Sequence, residues 1–142
     1  MRAPLMRVSW MRESLMRRYL LAVVLSGVPS TVHALMKRDD LLRATRAAGS
    51  LVGGGARAGV VVHLAVSGFW TFVLTRLPVR GVVGGAVAGL LIAALDLEVV
   101  GRHNARIRSL PRVPQWLDHV AFGVLVAGSG RVEGGQAREV AL

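Results

Sequence analysis

Cysteine is missing altogether. Its absence rules out disulfides, thiolate metal sites and a cysteine nucleophile. Acidic residues are scarce, with 8 Asp and Glu against 18 Lys and Arg, and Lys37 is the single lysine. Aromatic residues make up only 5%. No GxSxG, HExxH, phosphate-loop or dinucleotide fingerprint occurs, so nothing points to an enzyme or implies a cofactor. Charge as a whole is low, at 18% of residues.

What is present is apolar. Hydrophobic residues make up 53% of the 142, and the mean hydropathy is +0.51. Soluble domains sit nearer about 45–50% apolar and carry more charge. The charges here cluster between long apolar runs, as in a polytopic membrane protein. The length fits one domain. The net charge of +10 would suggest nucleic acid in a soluble chain. Because the cations flank apolar segments, the expected partners are the bilayer and anionic lipid headgroups, with no nucleic acid. The Arg-, Ala-, Val- and Gly-rich composition fits a GC-rich bacterial genome, and hence a multi-pass protein of a bacterial cytoplasmic membrane.

The expected fold is all-α, a polytopic bundle of about four transmembrane helices. A basic N-terminal segment covers 1–18, and its four methionines leave the start codon open. Spans follow at about 19–36, 58–75, 81–101 and 114–130, then a polar tail over 131–142. The first run has a rival reading as a signal peptide, with Arg17-Arg18, an apolar stretch and Val32-His33-Ala34 as a cleavage site. Asp39-Asp40 and the segment up to Gly49 read as a capped amphipathic turn along the headgroups. The fourth run is short and crosses only by recruiting Val113 and Pro114 or by thinning the bilayer. Trp70, Trp116 and Tyr19 read as interface anchors. Arg102, Arg106, Arg108 and Arg112 form a basic loop, kept extended by Pro111 and Pro114, that can hold headgroups.

Gly81, Gly85, Gly89 and Ala93 recur every four residues. Such small-residue faces let helix backbones approach closely where lipid removes the hydrophobic drive. Gly59 and Ser67 lie on a similar face of the second span, which makes these two spans natural partners. A second copy of the chain, or another membrane protein, is the other occupant this glycine zipper could take.

Each apolar run also carries ionisable residues: His33, His63, Asp96 and Glu98, and Asp118 and His119. Because spans alternate direction, all fall in one leaflet, roughly 5–9 Å below the boundary. Helical rotation turns His63, Asp96 and His119 towards the bundle interior, with Glu98 pointing away. Intramembrane ionisable groups are costly and mark candidate sites. The set reads as a register-fixing network, a proton or ion path, or a His-ligated metal or haem site. The cations divide nine to nine between the two membrane sides, so orientation rests on the first helix, which favours an inside N-terminus.

The stretch Gly27-Val28-Pro29-Ser30-Thr31-Val32-His33-Ala34-Leu35, with Arg38-Asp39 and Arg43 to Gly49, resembles small uncharacterised membrane proteins of actinobacteria. The resemblance implies a multi-span membrane fold and carries no functional residues.

Overall fold

A computed structural model describes residues 15–128. Most of the basic N-terminal segment and the tail over 131–142 lie outside the described residues. The described chain is helical and contains no strand.

Helix α1 is Leu15–Lys37. It breaks at Ser26 and Gly27 and resumes at Val28. Pro29 is the cause, since it supplies no amide to the carbonyl four residues back. The Ser30 and Thr31 hydroxyls donate to the Gly27 carbonyl at 3.2 and 2.8 Å. Side chains of this kind re-satisfy a membrane helix around proline. The chain leaves α1 through Arg38 at φ 53°.

Short helix α2, Arg43–Gly49, follows. Asp39 and Asp40 do not cap it directly, because its N-cap position is Leu42. They instead pair with the helix's own arginines, Asp39 with Arg43 at 2.8 Å and Asp40 with Arg46. Helix α3 is Ala56–Arg76. Helix α4 is Gly81–His103. It is α-helical over Gly81–Ala93, π-helical over Ala94–Val100 and 3-10 over Gly101–His103. A short helix α5, Ala105–Arg108, interrupts the basic loop expected to be extended. The Asn104 side chain accepts from the Arg106 and Ile107 amides and so starts it. Helix α6 is Arg112–Gly128. Pro114 falls in its first turn, where a missing amide costs nothing.

Helices α1, α3 and α4 are long and apolar enough to cross a membrane. Helix α6 has 17 residues, or roughly 25 Å, against a hydrocarbon core of about 30 Å. Large apolar side chains are exposed along these helices. Val24, Val61 and Val83 are 70%, 65% and 78% exposed, while Ala22, Ala88 and Ala93 are buried. Continuous outward apolar faces of this kind mark contact with lipid or a partner.

Helices α4 and α6 make the most extensive contact. A methyl at Gly85 would lie 2.6 Å from the Gly123 carbonyl oxygen, and one at Gly89 would lie 2.7 Å from the Val120 Cα. Ala93, on the same face, is fully buried near Ala47 and Leu97. Two expectations fail here. The partner of the α4 face is α6, not α3, and α6 already covers Gly85 and Gly89 within one chain. Gly59 of α3 packs against the Thr45 carbonyl of α2 instead. Gly81 also leaves the packing set. A methyl there would meet nothing within 4 Å, and its φ of 71° shows that it serves the turn into α4.

Candidate functional site

Asp96 is the hub of the polar layer. Trp70 Nε1 on α3 donates to Asp96 Oδ2 at 3.1 Å, and His119 Nε2 on α6 lies 3.5 Å from the same oxygen. His119 Nδ1 lies 2.7 Å from the Gln115 carbonyl, one turn back. A carbonyl only accepts, so Nδ1 carries the hydrogen. Nε2 then faces a carboxylate, and the two are matched only when a proton lies between them.

Asp118 works with the broken helix. Its Oδ1 accepts from the Ser30 amide at 2.9 Å. The second half of α1 starts at Gly27, which offers no side-chain cap, so Asp118 supplies the missing acceptor from another helix. His63 completes the other half. Its Nε2 lies 3.5 Å from the carbonyl of Val23, just before the break. The two residues therefore treat the two ends of the interruption.

These groups line one cleft of about 340 Å³ between α1, α2, α3, α4 and α6. Ser26 and Ser67 are buried beside it, and Val66, Ile92, Leu97 and Phe122 supply apolar wall. Asp96, His119 and His63 each stand seven residues inside a helix end, at His103, Arg112 and Ala56 respectively. That is roughly 10 Å along the axis from each helix end.

The remaining expected residues lie elsewhere. His33 lines a smaller pocket of about 40 Å³ with Asp39, Asp40 and Arg43. There the Asp40 amide, and then Arg43, hold the Asp39 carboxyl below its ordinary value. Glu98, which rotation turned off the zipper face towards the headgroups or another helix, faces another helix. Its Oε1 is 3.0 Å from Arg112 Nη1, a charge contact without hydrogen-bond alignment. In an α-helix Asp96 and Glu98 would stand about 200° apart. Both nevertheless meet α6 from within the π-helical segment. Arg102 donates to His103 at 2.9 Å, and Arg106 and Arg108 are exposed.

Among the described residues no three His, Asp or Glu side chains converge as metal ligands. The expected His63–Asp96–His119 ligand set fails because His63 turns to the Val23 carbonyl. Sequence reasoning missed Trp70 as a donor to Asp96, reading it as an interface anchor. It also placed Tyr19 at the interface, whereas the Tyr19 hydroxyl donates to the Leu64 carbonyl at 3.0 Å and ties α1 to α3. No family model, no curated protein and no solved structure matches the chain.

Proposed function

We propose that the chain is a four-pass protein of a bacterial cytoplasmic membrane, with an accessory or structural role. Helices α1, α3, α4 and α6 cross, and α2 and α5 lie at the face where the polar residues gather. The observation that carries this reading is the outward apolar surface of the long helices, with large side chains such as Val24, Val61, Phe69, Val83 and Leu91 exposed. The Gly85, Gly89 and Gly123 contact acts as the glycine packing device between α4 and α6. Arg102, Arg106 and Arg108 stand at that face as contacts for anionic headgroups. Full-length protein expressed in bacteria is expected to remain in the membrane pellet after alkaline carbonate washing. Release into the supernatant would defeat the reading.

A second reading, proton or ion movement, is favoured by the Asp96–His119 contact, which is matched only with a proton between the two. On that reading His119→Ala, reconstituted in vesicles carrying a pH-sensitive dye, loses proton flux that the wild type shows. Equal flux through both proteins would remove it.

A further inference from the structure

The chain carries 18 Lys and Arg, yet none of those among the described residues lines the cleft. Among the described residues its titratable side chains are Asp96, Asp118, His63 and His119. Arg43 is paired with Asp39 and Arg112 with Glu98. Among the described residues, the carboxylates of this cavity are Asp96, which shares a proton with His119, and Asp118, which has no cationic partner of its own there.

Those carboxylates are not used up. Both described contacts of Asp96 fall on Oδ2, and the described hydrogen bond of Asp118 falls on Oδ1. Each ionised carboxylate accepts about four hydrogen bonds, so each keeps a face for a further donor or cation. The rest of the wall is apolar and aromatic, with Phe122 and Trp70 among it. Aromatic faces attract cations in a desolvated site. The volume lies within the range of small-molecule sites, about 300–1,000 Å³.

We propose that this cleft binds a small organic cation with an apolar body, its charge set between Asp96 and Asp118 and its body against Phe122 and the aliphatic wall. A lipid acyl chain needs no carboxylates, and an anionic headgroup would be repelled by them. An inorganic divalent ion lacks a third converging ligand among the described residues. The proposal rests on the helical bundle but not on its passage through a membrane four times. Binding in detergent and retention in the membrane pellet are separate readouts, so either can fail alone.

The probes are tetraphenylphosphonium and tetraphenylborate, which share a shape and differ in charge. Calorimetric titration of the full-length protein in a neutral mild detergent is expected to show saturable, stoichiometric binding of the phosphonium and none of the borate. Asp96→Asn and Asp118→Asn keep the acceptor oxygens for Trp70 and Ser30 and remove the charge. Each is expected to weaken phosphonium binding by about tenfold or more. Arg80→Ala, outside the cleft, should leave it unchanged. Equal uptake of both ions, no uptake of the phosphonium, or full affinity in both Asn variants would overturn the proposal. The comparison of the two ions needs no variant, so it decides even where an Asn protein fails to fold.

Discussion

Asp118 shows how one residue can hold a break in a distant helix. Pro29 interrupts α1, and the segment after it begins without a cap of its own. Asp118 lends an acceptor to the Ser30 amide from α6. Removing such an acceptor costs about 1 kcal/mol, and a charged acceptor at a helix start costs towards the upper end of about 2 kcal/mol. Asp118→Ala should therefore lower the thermal unfolding midpoint in detergent, while Asp118→Asn recovers most of it. Equal loss in both would show that the cap is not what the side chain provides. The ionisable residues were legible from sequence because each interrupts an apolar run. Their partners were not. Ser30 contributes a backbone amide and Gln115 a backbone carbonyl, and neither leaves a mark on side-chain identity. Trp70 carried a signal with two meanings, since an indole suits both a membrane interface and a buried donor.

Among the helices, the same residue type does different work at neighbouring positions. Gly85 and Gly89 admit the α6 backbone, whereas Gly81 supplies a left-handed turn. Gly27, although it lies in the α1 break, has open space around it and an ordinary φ of -78°. Gly85→Leu and Gly89→Leu should each destabilise the fold by about 1–3 kcal/mol or more, since backbone atoms cannot yield to the added side chain. Gly27→Ala should be close to neutral. Unfolding in a mixed-detergent titration checks the three together, and similar midpoints for Gly89→Leu and Gly27→Ala would contradict the packing account. The four-residue period revealed a close-packing face, but nothing in it names the helix that fills it. The π segment over Ala94–Val100 was likewise hidden. No residue there breaks an α-helical pattern, although Asp96 and Glu98 both meet α6 from it.

At the scale of the whole molecule, the all-helical class and the three long apolar helices were the most legible features. Apolar length is written directly in composition, and charged flanks mark where it stops. The expected spans and the observed helices differ by a few residues at their ends. The helix ends were less legible, because α3, α4 and α6 continue past their apolar runs. Orientation was not legible at all, with nine cations on each side. The absence of cysteine, which excluded so much chemistry, now gives a clean topology probe. Three single variants, Arg80→Cys, Arg108→Cys and Leu142→Cys, can be labelled in intact cells with a membrane-impermeant maleimide. Four crossings require Arg80 and Leu142 to react from one side and Arg108 from the other. If Leu142 instead sides with Arg108, α6 does not cross, and if all three react alike, the membrane bundle itself is contradicted.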